Sequence, residues 1–171
     1  GITANGRVTL NTAQAYIGDG STDTSITAGS VTGTGNLLLN KTGVAVTSAI
    51  ATTAATGEIE LKGAIDAAGR TVVFDAPTVK IGDGTNNVTV TADKLTNTHD
   101  MAFNKAGVQV NTIEAAGKLN FKNAIDATGK TMSLSGSEVN IGDGEAATSF
   151  TAAAVTSTSD LIVNKATLNL P

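Results

Sequence analysis

The chain has 171 residues, enough for one domain with a real core, and it is poor in aromatics (3%) and charge (15%) while still 40% hydrophobic. That is too apolar for a disordered segment, and the apolar residues are mostly small, which argues against a bulky helical bundle or a deep aromatic pocket. The net charge is −4 with 11 scattered Lys and Arg and no Cys, so a nucleic-acid face, a disulfide framework, a thiolate metal site and a cysteine nucleophile are all excluded.

In chain order, the first alternating run is Arg-Val-Thr-Leu-Asn at 7–11, which predicts a strand. It is followed by Ile-Gly-Asp-Gly at 17–20, a turn signal built from residues that tolerate positive φ. The same tetrapeptide returns at 81–84 and 141–144, spaced by 64 and then 60 residues. An Asn-Lys pair follows each one at the same distance, at 40–41, 104–105 and 164–165. Between these marks the copies align without gaps. Thr27, Thr91 and Thr151 match, as do Thr32, Thr96 and Thr156, and then Thr34, Thr98 and Thr158. Ile26, Val90 and Phe150 share one apolar slot, and Val31, Leu95 and Val155 another.

Further alternating runs at 58–62, 87–91, 107–111, 118–122 and 167–170 predict short strands bounded by Gly, Asn, Asp or Ser. The stretch Ala-Ile-Asp-Ala-Ala-Gly-Arg at 64–70 recurs as Ala-Ile-Asp-Ala-Thr-Gly-Lys at 124–130, and residues 1–7 are a third version of it. The four extra residues of the longer copy fall between Lys41 and Gly57, around 49–55. The Ala-rich pieces near 49–55 and 152–154 lack a sustained 3.6-residue pattern and read as strand or loop.

Strands this short bury no face alone. Stacking them coil upon coil does so, and predicts an all-β parallel β-solenoid with about three coils per 60–64-residue repeat. A sandwich or barrel has no need of turns at such fixed offsets. The whole of 1–171 reads as one solenoid, with a partial repeat at 1–16, repeats at 17–80 and 81–140, and a partial repeat at 141–171.

Several motifs touch on chemistry. Residues 124–131 nearly match a phosphate-binding loop, but Ala124 replaces its first Gly and an alternating strand follows where a helix is needed. Asp19, Asp83 and Asp143 occur once per repeat, whereas calcium-binding β-rolls need an Asp motif every nine residues. His99 is the only histidine and has no ligand partners in sequence. Glu58 and Glu60 share one strand face, yet Lys118 and Asn120 replace them in the next copy, so they make a poor glycosidase pair. Thr32/Thr34 and their counterparts recur once per repeat, too sparsely for an ice-binding grid. Asn40, Asn104 and Asn164 are expected to turn inward and hydrogen-bond the backbone. Asn40 and Asn87 also fit the glycosylation pattern, which a bacterial origin makes moot. No catalytic residue, cofactor or metal is expected.

The units Gly-Asn-Leu-Leu-Leu-Asn-Lys at 35–41, Gly-Lys-Leu-Asn-Phe-Lys-Asn at 117–123 and Asp-Leu-Ile-Val-Asn-Lys-Ala-Thr-Leu-Asn-Leu at 160–170 resemble the passenger domains of bacterial autotransporters and filamentous-haemagglutinin-type adhesins. The resemblance spans nearly the whole chain and is one of style. It implies a right-handed β-helix, secretion or display at the bacterial cell surface, and an adhesive or scaffolding role without catalysis. It transfers no functional residue. Thr/Asn/Gly-rich repeats of this kind also occur in phage and virus tail fibres, which is one alternative.

The other alternative is an extracellular filament subunit that stacks end to end. Gly1 shows no signal-peptide pattern, so the chain reads as a mature product or a cut fragment. Set head to tail, two copies lack the counterpart of residues 112–123, expected to hold about one strand. The partners expected are therefore a second copy or neighbouring repeats of a longer chain, and a host or cell-surface receptor. No nucleic acid is expected, and no membrane span, since no apolar run approaches ~18 residues.

Overall fold

The computed structural model describes every residue, Gly1–Pro171, and contains sixteen strands and no helix. All strand pairs are parallel, and the strands stack as a β-solenoid of about 8 turns. The first coil defines three faces: β1 (Ile2–Thr3) starts face 1, β2 (Arg7–Leu10) face 2 and β3 (Gln14–Ile17) face 3. Each strand pairs with the strand of the same face one coil further on.

Three coils make one repeat. On face 3, Ile17 pairs with Leu39, Leu39 with Leu61 and Leu61 with Ile81, the same position in the next copy. The climb continues from Ile81 through Phe103 and Phe121 to Ile141. The short period-2 runs legible in the sequence are segments of longer bent strands. The strand Glu58–Asp75 crosses all three faces, and Lys118–Ser135 repeats it one copy later. Gly and Asn mark its corners without ending it, and the register to the neighbouring coils shifts at those corners.

The four extra residues of the longer copy are split around a strand. Thr32 pairs with Ala51, whereas its counterpart Thr96 pairs with Glu114, so one extra residue lies at 47–48. The others widen the corner at 53–57, which matches 116–117 in the next copy. The Ala-rich piece between them is a strand, Ala49–Thr52. The segment 112–123 holds strands on two faces, not one, since 112–115 lie on face 2 and 118–121 on face 3.

Inward-pointing residues alternate along each strand and form a single core of 40 buried residues. All four Phe are fully buried. Phe103 and Phe121, register partners on face 3, stack with centroids 5.0 Å apart, and Phe150 of face 1 meets Phe121 edge-on at 5.1 Å. The core is layered as expected, yet its middle coils carry an aromatic stack that the low overall aromatic content conceals.

Candidate functional site

The edge where face 3 turns into face 1 carries both repeated signatures. Its corners follow a strict order along the axis: one long loop, then two tight corners. The long loops are 18–23, 82–87 and 142–147. The tight corners are 40–41, 62–63, 104–105, 122–123 and 164–165.

Each long loop opens with Gly-Asp-Gly, and both glycines have positive φ, 85° at Gly82 and 82° at Gly84. They also lack space for a side chain. A Cβ on Gly82 would strike the Asn104 carbonyl, and one on Gly84 would lie 2.8 Å from the Asn104 side-chain amide. The Asp between them closes an Asx turn. Asp83 Oδ1 accepts the Asn86 N–H at 3.0 Å and the Thr85 N–H at 2.9 Å. Asp19 and Asp143 do the same in their loops. These N–H donors favour the ionised carboxylate, so all three sit below the usual Asp pKa. The leading causes are the N–H of Ser21 for Asp19, of Asn86 for Asp83 and of Glu145 for Asp143.

The Asn-Lys pair one coil on is the matching half. Lys41, Lys105 and Lys165 adopt left-handed φ of 54°, 58° and 51°, uncommon for a residue with a Cβ. That twist makes the two-residue corner and sends the ammonium back across the coil boundary. Lys105 Nζ donates to the Thr85 carbonyl at 2.6 Å, Lys165 Nζ to Glu145 at 2.7 Å and Lys41 Nζ to Ser21 at 3.3 Å. From the other side, Lys122 Nζ lies 3.4 Å from Asp143 Oδ2, and Asn123 Nδ2 donates to Asn104 Oδ1 at 2.6 Å. The two signatures that define the repeat therefore form one latch.

This corrects the inward reading of Asn40, Asn104 and Asn164. They lie at the edge, with their amides against the loop glycines. The inward asparagine is Asn97, 5% exposed, which donates to the Ala76 and Asp100 carbonyls and accepts the Ala76 N–H. It stands where the other copies have Gly33 and Ser157. One copy in three is too faint a signal for sequence to separate from ordinary turn composition.

The remaining sequence candidates are scattered. The 124–131 motif runs strand, corner, strand within Lys118–Ser135. Its Asp126 accepts the Thr128 hydroxyl at 2.6 Å and the Thr128 N–H at 3.0 Å, in that order the causes of its lowered pKa. His99 is exposed, with Nδ1 3.0 Å from Thr98 Oγ1. That hydroxyl donates to Asp75 at 2.6 Å, so its proton is committed to a carboxylate and not to the imidazole, the wrong order for an activated nucleophile. Glu58 pairs with Lys80 at 2.7 Å and Glu60 with Lys62 at 3.2 Å, each an exposed or half-exposed ion pair. Thr32, Thr96 and Thr156 lie on face 2, while Thr34, Thr98 and Thr158 turn the corner and bond the preceding coil. No three His, Cys, Asp or Glu side chains converge as metal ligands.

Between successive long loops the tight corners leave a cleft, once per repeat. One of about 310 Å³ lies between loops 18–23 and 82–87, and one of about 400 Å³ between loops 82–87 and 142–147. Neither a protein-family model, nor a curated protein, nor a solved structure matches the chain.

Proposed function

We propose that this chain is a structural segment of a fibre or autotransporter-like passenger displayed at a bacterial surface, a rigid spacer without catalytic duty. The observation that supports it is how the repeated residues are used. Gly-Asp-Gly and Asn-Lys, the parts common to all three copies, are spent on one another across coil boundaries. Their repetition is accounted for by axial stacking. An enzyme repeats its scaffold and concentrates its chemistry in one place. Here the recurring Asp caps its own loop, the recurring Lys bonds the neighbouring coil and the recurring Asn packs against the loop glycines.

Support for axial stacking also comes from the terminal coil. Leu161, Val163 and Leu168 occupy the inward columns of their faces yet are 36–45% exposed, because no further coil covers them. A coil laid on that edge, from a longer chain or from a second copy, buries them and pairs the free strand edge. Antibodies raised against the purified chain should label intact cells of the source bacterium. Labelling only after lysis would reject surface display. Regular filaments formed by the chain alone on an electron-microscope grid would replace the passenger reading with the self-assembling one.

A further inference from the structure

We infer that the edge where face 1 turns into face 2 pairs with the same edge of a second copy of this chain, the two rods lying parallel about a two-fold axis that runs along the edge. This goes beyond the spacer reading, which stands whether or not the rods pair.

The cations mark this edge. Of the 11 Lys and Arg, six pair with a carboxylate, and Lys105 and Lys165 donate to loop carbonyls. The remaining three, Arg7, Arg70 and Lys130, make no ion pair, and they hold one equivalent position in successive copies. The glycine directly before each, Gly6, Gly69 or Gly129, is the only kind in the chain where an added Cβ would meet nothing within 4 Å. The corners also protrude. Four residues, 68–71, separate the inward Ala67 and Val72, and four, 128–131, separate Ala127 and Met132. In the adjoining coils two residues suffice, 93–94 and 153–154. The protrusions recur every three coils, about 14 Å at ~4.8 Å per coil.

Two of these corners carry their own complement. Asp66 stands on the face 1 side of Arg70, and Asp126 on the face 1 side of Lys130. Neither carboxylate pairs with a cation. Each instead caps its corner, Asp66 accepting the Ala68 N–H at 3.1 Å and Asp126 the Thr128 N–H at 3.0 Å. The first corner has Thr3 in the Asp position. A two-fold axis along the edge sets face 1 of one rod beside face 2 of the other. Asp66 then meets Arg70 of the second copy while Arg70 meets its Asp66, and Asp126 and Lys130 do the same, four ion pairs in an isologous contact. Ala68, Gly69 and Gly129 lie beside the axis and let the tips approach closely. The three-coil period is common to both rods, so every corner comes into register together.

The pattern excludes the other arrangements. Antiparallel rods meeting at this edge set face 1 beside face 1, carboxylate against carboxylate. A polyanion drawn to the cations meets Asp66, Asp93 and Asp126 on the same edge, all exposed. One exposed ion pair is weak, and four engaged at once reinforce each other.

Sedimentation velocity over a concentration series tests this, with circular dichroism to show each variant folded. The parent chain should form reversible dimers. Arg70→Glu with Lys130→Glu leaves both caps intact and should weaken dimerisation about tenfold or more. Asp66→Lys with Asp126→Lys should do likewise, and a mixture of the two double variants should dimerise again. Ala68→Cys should form a disulfide-linked dimer on oxidation much faster than Ala55→Cys, an exposed position on another edge in a chain with no other cysteine. A parent chain that stays monomeric throughout overturns the inference. So does dimerisation that survives Arg70→Glu with Lys130→Glu, or equal cross-linking at 55 and 68, which reports stacking of rod ends or random collision.

Discussion

Two corners on different edges of this solenoid are built alike but held differently. At the edge from face 3 to face 1, the loop 82–87 has positive-φ glycines and a capping Asp83. At the edge from face 1 to face 2, the corner 128–130 has positive-φ Gly129 and a capping Asp126. Local chemistry is thus the same. The difference lies one coil away. Asn104 and Lys105 close over the first, whereas nothing lies within 4 Å of a Cβ placed on Gly129. A turn motif states how the chain bends, and only its axial neighbour states whether the bend is locked.

The largest effect should come from breaking the order of corners. Deleting 82–141 joins Ile81 to Gly142 and sets the third loop on Lys62, in the place that Lys122 gives Lys-to-Asp contact in the intact chain. The ladder and the latch both survive, and the product should fold as a rod about 14 Å shorter. Deleting 104–121 removes only one coil and joins Phe103 to Lys122. It leaves loop 82–87 facing a Lys-Asn corner without Asn104 and Lys105. That protein should unfold at clearly lower denaturant concentration than the longer deletion, although it retains more coils. Small-angle scattering and urea titration read both. Equal behaviour would show that the coil, not the three-coil unit, sets the register.

Next come the glycines. Gly82→Ala combines a left-handed backbone with a clash against the Asn104 carbonyl, and should cost about 3 kcal/mol or more. Gly129→Ala meets open space and should cost only the conformational term, about 1 kcal/mol. Chemical denaturation of the pair separates packing from φ. Similar losses would mean the latch adds nothing.

This contrast also marks how far the sequence reached. The repeat, the parallel solenoid and the three coils per copy were legible, because apolar period and turn residues recur at fixed spacing. Both halves of the latch were legible as well, but as separate turns. Their meeting depends on coil length, and the coil lengths vary between copies, as the 47–48 and 53–57 insertions show. Asn123 was legible only as an Asn. That it takes a left-handed φ of 57°, where the preceding copy has Gly63, follows from stacking.

The inward column beneath the latch makes a finer comparison. In the first copy Thr24 and Thr42 face each other at 3.1 Å, and Thr42 donates to the Ile17 carbonyl at 2.9 Å. In the second copy the same pair is Val88 and Ala106, wholly apolar. In the third, Thr148 faces Ala166 and its buried hydroxyl has no partner. Both the polar and the apolar solutions are consistent, and the mixed one leaves a group unsatisfied. Thr148→Val should therefore stabilise the protein by about 1–2 kcal/mol, while Thr42→Val should destabilise it by a similar amount by removing the buried hydroxyl that bonds the Ile17 and Asn40 carbonyls. Thermal melts of the two variants should move in opposite directions. Movement in the same direction would mean that hydroxyl pairing does not govern this column.

The smallest effect is electrostatic. Because the loop N–H groups hold Asp19, Asp83 and Asp143 below the ordinary value of 3.8, their ionised forms favour the folded state. The contribution is fully present above the unfolded value and fades as pH falls through it toward the lowered native pKa, so stability should be flat near neutrality and decline below about pH 4. Solvent screens these exposed carboxylates, which keeps each one's share small. Asp83→Asn retains an oxygen for the turn but cannot titrate. It should lower stability slightly at pH 7 and shrink the acid decline relative to the parent chain. Asp126→Asn should act alike, since its carboxylate is also held low, by the Thr128 hydroxyl first and then the Thr128 N–H. If the two variants matched at every pH, the Asx turn alone would set the titration. A larger change for Asp83→Asn would show that the latch above the loop strengthens the turn beneath it.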